Sequence, residues 1–538
     1  MSRNPQPSVA CDTKVYFKQN VVAEPLFNQW YAWSYLISPS TAPLYIANLH
    51  LQIMESFVSA PQVHAAAFKN PAMIGGPFIN YDASMVGDIK ALLEKTKREQ
   101  APMLEFAEAV KSLDKILMTE ANGYSMEPLY EKIPETLRGY VELIYDLHNN
   151  PSFRFIEGLL YKSPYYNPSL QSISLSLMDD DLRTFVFSTP RVETNGCLHL
   201  KVPFSSAGLD ELFSMKSAPQ PFGHIKEVLQ VQDKDEELFS TFFTEEAPPA
   251  SPQYTGDGVR IRYFSHACIL IESKNVSILT DPVISYRYTT GPERYTFTDL
   301  PDRIDYVLIT HNHQDHCMFE TLLQLRHKTE NVIVPRSSEG RVDPSLKWIL
   351  HSMGFKNVRE LDEIENIEID GGTITSVPFL GEHCDLSIRT KTAYLVSLEG
   401  NSILIGADSC NIEPRIYQRI HDLAGDLDVL FLGLECDGAP LTWMYGPLLT
   451  FTVPRKMDRT RRLNSSNCAQ AIDIVNRSRP KQVYVYAMGL EPWLTYLTSL
   501  QYTDTDKPMV ESNKLIEACR EAGIEAERLF CQKEIHLS

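Results

Sequence analysis

THNHQDHCM, residues 310–318, places His311, His313, Asp315 and His316 within consecutive positions 311–316. The apolar run YVLIT (306–310) leads into it and an amphipathic stretch begins near Cys317, so the cluster is predicted on a loop between a strand and a helix. A strand fixes where such a loop starts, and the loop lets its side chains face different ways. Alternate residues of an extended segment share a face, which groups His311 with His313 and brings Asp315 alongside, while His316 turns away as the chain bends. Imidazole and carboxylate groups are common ligands of divalent metals. Ligands on two faces predict two metals rather than one.

Around this motif, short apolar or β-branched runs alternate with helical patterns. RIRYFSHACILIES, VSILTD, NVIVP, TITSVPF, TAYLVSLEG, SILIGAD, VLFLGL and QVYVYAM read as strands, and 317–328, 343–353, 411–423, 467–478 and 510–522 read as helices. The alternation predicts a layered α/β architecture. EGNS (399–402) is a hairpin turn between two of the strands. Upstream, TEEAPPASPQYTGDG (244–258) has the Pro, Ser, Gly and acidic content of an exposed linker. We therefore divide the chain into a mixed α+β region (1–245), a linker (246–258) and a catalytic α/β domain (259–538). At 538 residues the chain exceeds what one core usually serves, which predicts a core in each part. The first region shows helical spacing in VGDIKALLEKTKREQ and PMLEFAEAVKSLDKILMTE, and RTFVFST and CLHLKVPF read as strands. It carries no concentrated chemical motif, and its expected role is substrate docking or dimerisation.

Composition excludes several classes. Hydrophobic residues make up 43% and charged residues 22% of the chain, and no apolar run approaches the roughly 20 residues of a membrane span, so no membrane partner is expected. The N-terminus, MSRNPQPSVACDTKVYFKQN, lacks the apolar centre of an export signal. The 10 cysteines, from Cys11 to Cys531, form no CxxC pair, which predicts reduced thiols and a cytoplasmic protein. A net charge of −19 disfavours nucleic acid. VPRKMDRTRR (453–462) is a local exception, with Arg455, Lys456, Arg459, Arg461 and Arg462 against Asp458.

Three further stretches accompany the motif: LTDP (279–282), GEHCD (381–385) and IGADS (405–409). With them, residues 259 to about 490 resemble the metallo-β-lactamase fold superfamily. That resemblance implies an αββα sandwich with two metals at one edge and makes Asp408 the bridging carboxylate. In superfamily hydrolases a histidine after a late strand completes the second metal site. Here the corresponding stretch, VYVYAMGLEPWLTY (483–496), has none, and no histidine occurs between His421 and His536. Within GEHCD, either Glu382 or His383 is placed to be the third ligand of the first metal. With Glu382, the set would hold three histidines and the carboxylates of Asp315, Glu382 and Asp408, an oxygen-rich balance that suits iron or manganese. His266, in YFSHACIL, is expected to be a core histidine or one supporting the metals from below.

A narrower resemblance covers nearly the whole chain. The long N-terminal part, HxHxDH, GEH, Asp408, LECDGAPLTWMYGP (434–447) and the missing late histidine are together similar to the diiron amino-acid β-hydroxylases of nonribosomal peptide biosynthesis, chloramphenicol-pathway type. The resemblance implies that His311, His313 and Glu382 hold one iron, that Asp315 and His316 hold the other, and that Asp408 bridges them. It implies two Fe ions, cycling between Fe2+ and Fe3+ with an oxo or hydroxo bridge, and dioxygen and an external reductant as co-substrates. The implied reaction is hydroxylation at Cβ of an amino acid tethered as a thioester to a peptidyl carrier (thiolation) domain of a nonribosomal peptide synthetase. An electron-donor protein and a second copy of the chain, as a homodimer, complete the implied partners. Trp443, Met444 and Tyr445 are candidates for the side-chain pocket, Glu435 and Asp437 for the substrate amine, and the basic run for a phosphopantetheine phosphate or an acidic carrier surface. The rival class is a dinuclear zinc hydrolase acting on an ester, lactone or phosphodiester, which needs neither oxygen nor reductant.

Overall fold

The computed structural model describes residues 10–538 except 250, 252 and 289, so part of the N-terminal stretch and two linker positions lie outside the described residues. From 259 onward two seven-stranded sheets face each other. The first runs, edge to edge, Val358–Leu361, Thr329–Pro335, Ile304–Leu308, Ser277–Thr280, Cys268–Glu272, Val259–Ser265 and Lys533–Leu537. The second runs Asn366–Ile369, Gly372–Val377, Ala393–Leu398, Asn401–Ile405, Val429–Gly433, Gln482–Tyr486 and Glu525–Arg528. Two of the strand pairs that carry site loops are parallel, Ser277–Thr280 with Ile304–Leu308 and Asn401–Ile405 with Val429–Gly433, whereas Gly372–Val377 is antiparallel to both of its neighbours.

The layering follows from residue alternation. In ILI, VLFLG and VYVY every position is apolar because both faces of the second sheet are covered. Ile403, Ile405, Val429, Phe431, Tyr484 and Tyr486 point between the sheets, against Ile261, Ile269, Ile278 and Leu308. Leu404, Leu430, Leu432, Val483 and Val485 point outward, under helices Arg415–Ala424, Cys468–Ser478 and Lys507–Glu521. The hairpin at Glu399–Gly400 forms as expected, with Leu398 opposite Asn401 and φ of 49° and 77° at the two turn residues. Left-handed φ at both positions matches the right-handed twist of the strands it joins.

The N-terminal region packs helices Val86–Glu99 and Ala101–Glu120 beside a four-stranded sheet ordered Trp30–Tyr31, Val21–Phe27, Gln171–Leu177, Cys197–Leu200. RTFVFST is not a strand: it has no ladder partner, because Arg183 is drawn into buried ion pairs and Phe185 to Phe187 pack against other aromatic side chains. CLHLKVPF is a strand only over Cys197–Leu200. The interior does not divide at the linker either. One apolar cluster runs from Phe17, Trp30 and Phe106 into Leu270, Leu279 and Val307 on the outer face of the first sheet. The N-terminal region therefore supplies part of the layer that a sandwich needs on that face. Among the described residues no helix is long and apolar enough to cross a membrane.

Candidate metal centre

Strand Ile304–Leu308 delivers the histidine-rich motif and helix Phe319–Leu325 takes the chain away, leaving the ligand types on the loop between them. The neighbouring parallel strand ends at Asp281, whose buried carboxylate accepts hydrogen bonds from Thr310 N–H (2.7 Å) and the Thr310 hydroxyl (2.5 Å) and pairs with His316 Nδ1 (2.8 Å). From the facing sheet, the loop after Gly372–Val377 brings Glu382 and the loop after Asn401–Ile405 brings Asp408. Asp408 needs Gly433 beneath it, since a Cβ there would lie 2.4 Å from its Oδ1. Left-handed backbone at the non-glycine residues His266 (49°), Asp281 (34°), Glu382 (65°) and Ala407 (47°) gathers around these loops. Such conformations persist where the surrounding structure imposes them, and they concentrate at functional sites.

Three donor groups result: His311, His313 and Glu382; His311, His316 and Asp408; and His266, Asp315 and His316, with the donor atoms of each group within 4.8 Å of one another. Because His311 and His316 each belong to two groups, the three form one continuous run. His313 Nδ1 lies 2.8 Å and His311 Nε2 3.8 Å from Glu382, and His316 Nε2 lies 3.2 Å from Asp408 Oδ2. His383 pairs with Glu382 Oε2 through Nδ1 at 3.0 Å and stacks on His313, but it joins none of the three groups.

The donor set fits metal cations. His311 Nε2, His316 Nε2, Glu382 Oε2 and Asp408 Oδ1 are buried without a hydrogen-bond partner. Buried polar atoms are seldom left so, and an ion is one of the standard explanations. The opposite nitrogens of both rings are held, His311 Nδ1 by the Thr310 hydroxyl at 3.0 Å and His316 Nδ1 by Asp281, which fixes the tautomer and aims each Nε2 inward. Burial resists ionisation of Glu382, yet the flanking His313 and His383 hold its carboxyl down at about 2. Asp315 likewise stays below the usual carboxylate range despite burial, through His266 and His316. Burial also opposes charge on His316, but Asp408 and Asp281 raise it well above the ordinary imidazole value. Among the described residues, no lysine or arginine forms a salt bridge with Asp315, Glu382 or Asp408.

The predicted substrate residues separate. Trp443 and Met444 line an aromatic cavity of about 330 Å³ shared with Trp30, Tyr31, Trp33 and Tyr45 from the N-terminal region, and Gln314 of the metal motif lines it too. Tyr445 is fully buried, with its hydroxyl 3.0 Å from His313 Nε2. Glu435 takes a hydrogen bond from the Tyr502 hydroxyl, and burial, with Asp408 near, pushes its carboxyl up to about 8. Asp437 is exposed and pairs with Arg462 at 3.4 Å. The basic stretch forms helix Arg455–Thr460, where Arg455, Lys456 and Arg459 are exposed, while Arg461 turns in to donate to Cys384 O at 2.7 Å beside Glu382.

LTDP carried no sequence expectation for Asp281, and His266 was expected in the core or beneath the metals rather than among the donors. An acid at the end of an apolar strand directly before proline was the available signal for the first.

Comparisons with known proteins show the family of the chain. A family model described as the diiron non-heme beta-hydroxylase N-terminal domain matches residues 16–248, and a beta-lactamase superfamily domain model matches residues 260–439. The chain is 37% identical over 97% of its length to the 4-amino-L-phenylalanyl-[CmlP-peptidyl-carrier-protein] 3-hydroxylase of Streptomyces venezuelae, covering 99% of that protein. It superposes on the crystal structure of CmlA, a diiron β-hydroxylase from Streptomyces venezuelae, with a TM-score of 0.92 at 36% identity, over 98% of this chain and 100% of that one. An N-acyl-phosphatidylethanolamine-hydrolyzing phospholipase D of Caenorhabditis elegans is 24% identical over 33% of this chain and 53% of its own.

Proposed function

The chain belongs to the diiron non-heme β-hydroxylase family, and on that premise we propose that it hydroxylates Cβ of an aromatic amino acid held as a thioester on a peptidyl carrier domain. The observation that carries the reading is the run of buried, unpartnered nitrogen and oxygen donors on a chain with a full-length hydroxylase relative. We assign His311, His313 and Glu382 to one iron, Asp315 and His316 to the other, and Asp408 between them. When bound, the iron pair supplies the activation of dioxygen: one oxygen atom enters the C–H bond, and the other leaves as water with two external electrons and two protons.

The chain's own part is to place Cβ and keep water away from it. The aromatic cavity is of the size and apolar lining that ligand pockets favour, and Gln314 connects it directly to the metal loop. We take the cavity to seat the substrate side chain, so that orientation of Cβ toward the donor run, rather than new chemistry, is what the protein contributes. Arg455, Lys456 and Arg459 offer charge-assisted hydrogen bonds to a phosphopantetheine phosphate or to acidic groups of a carrier. An electron-donor protein follows from the electron balance. Self-association as a homodimer is supported by exposed Met118, Tyr124 and Leu147 at one end of the N-terminal region, and a cytoplasmic site of action by 10 unpaired thiols.

The test is the mass of aminoacyl carrier domains incubated with reduced enzyme and oxygen. Carriers loaded with aromatic amino acids are expected to gain one oxygen atom and those with branched aliphatic ones to gain little. Release of the amino acid by an iron-free enzyme without oxygen would sink the proposal in favour of hydrolysis.

A further inference from the structure

His266 occupies a costly position for a side chain the family resemblance leaves without a role. It is the first of two turn residues in the hairpin joining Val259–Ser265 to Cys268–Glu272, with Ser265 opposite Cys268. Its φ of 49° lies in the left-handed region, where a non-glycine residue costs about 1–2 kcal/mol. Glycine would relieve that strain, so an imidazole retained there points to work done by the side chain.

The turn is stitched to the stretch after strand Gln482–Tyr486, where superfamily hydrolases are expected to carry their late histidine. His266 N–H donates to Glu491 Oε1 at 3.2 Å, His266 O accepts from Ala487 N–H at 2.9 Å, and its ring Nδ1 accepts from Gly489 N–H at 3.2 Å. The ring is buried, its edge meets the His316 ring at a centroid distance of 5.0 Å, and Nε2 lies 3.3 Å from Asp315 Oδ2. His266 therefore reaches Asp315 and His316 from a turn bonded to the very stretch that lacks a late histidine.

Two roles fit that place, and the ring's tautomer separates them. A metal ligand needs a bare Nε2 lone pair, and its Nδ1 then carries the proton and donates it. Here the Gly489 N–H already points at Nδ1, so in the neutral ring the proton sits on Nε2, facing Asp315. We propose that His266 is a positioning residue that gives the second iron no nitrogen: its Nε2–H restrains Asp315 Oδ2 and so orients the carboxylate that we assign to that iron. Nε2 lies 3.3 Å from Asp315 Oδ2 and has no other partner, so its N–H is available to this carboxylate alone.

This rests on the iron assignment above, and the test separates the two. Anaerobic Fe2+ titration of the full chain would be compared for wild type, His266→Gln, which keeps an N–H donor, and His266→Gly, which removes the ring while relaxing the turn. A positioning role predicts two irons for the wild type, near-wild-type affinity for Gln, and about 10–100-fold weaker binding at one site for Gly, the range for a partner outside the ligand set. Electron spin-echo spectra of the mixed-valent protein should show imidazole nitrogen from His311, His313 and His316 only. Loss of one iron in both variants, or nitrogen coupling that disappears with His266, would make it a ligand and overturn the proposal. Unchanged affinity in both variants would overturn it equally. Failure of the wild type to bind iron at all would instead count against the family-based assignment.

Discussion

Two regions of this molecule bury charge, and they do so in opposite ways. At the seam between the N-terminal region and the sandwich, Glu24, Arg183, Arg191 and Glu320 form a neutral network: Arg183 bonds Glu24 at 2.7 Å and Glu320 at 2.8 Å, and Arg191 bonds Glu24 at 2.6 Å. Tyr31 and Tyr286 hydroxyls donate to the remaining capacity of Glu320, at 2.9 and 2.7 Å. Burial disfavours ionised Glu24, but the two guanidinium groups hold it at about 2. A short distance away in the chain, Glu320 is separated from His316 by only three residues, yet the donor run beyond it is built differently. Asp281, Asp315, Glu382 and Asp408 converge with histidines as their only ion-pair partners, and several carboxylate oxygens and ring nitrogens of the run have no hydrogen-bond partner. Burying a carboxylate without a counter-charge is costly. The first region is closed with respect to charge. The second has no lysine or arginine paired with its carboxylates among the described residues, and two divalent irons would balance all four.

The comparison is broken most severely at Asp408. Asp408→Ala takes away one of the two carboxylates that pair with His316 and leaves Asp281 to hold its charge, so the metal-free chain should fold with thermal stability near or slightly below that of the wild type. Hydroxylation should fall by more than about 10³-fold, a loss of roughly 4 kcal/mol in transition-state stabilisation. Iron content and turnover, measured beside the unfolding midpoint, check this. An iron-replete, active variant would remove Asp408 from the centre.

At the seam the signs reverse. Arg183→Met leaves Glu320 buried with hydroxyls as its only partners, and breaking a buried pair in this way costs about 3–5 kcal/mol of folding stability. Iron stoichiometry of whatever remains folded should stay at the wild-type value. Denaturant unfolding followed with iron analysis measures both, and a loss below about 1 kcal/mol would place the pair among ordinary surface ion pairs.

The same contrast explains what could be read from the sequence. The donor types at 311–316 are local, because one strand end and one loop suffice to present them. Asp281 and His266 act across space: one depends on the parallel register of Thr280 beside Leu308, the other on a hairpin meeting a segment more than two hundred residues later. The sandwich was legible because strands buried on both faces are apolar throughout. Its four edge strands, VREL, NIEI, EAER and KEIHL, were not, since each lies at the edge of a sheet and carries charged residues. In the N-terminal half, RTFVFST shows strand-like composition, but the ion pairs of Arg183 decide its path. Buried charge networks of that kind leave no periodic signal.

The smallest effect lies within the donor run and tests how each ring is held. His311 and His316 keep Nδ1 bonded and direct Nε2 inward, whereas His313 has Nδ1 against Glu382 and Nε2 against the Tyr445 hydroxyl. His313 is therefore turned end for end relative to the other two, and Tyr445 fixes that orientation. Tyr445 is itself wedged in aromatic packing, its ring 6.1 Å from Tyr35 edge to face, so Tyr445→Phe should keep its position and lose only the hydroxyl. A net hydrogen bond is worth about 0.5–1.5 kcal/mol, which corresponds to roughly 2–12-fold weaker Fe2+ binding at the His311, His313 and Glu382 group. Binding at the second iron should not change. Anaerobic titration resolves the two sites, and equal weakening of both would mean that Tyr445 acts on the donor run as a whole rather than by holding His313.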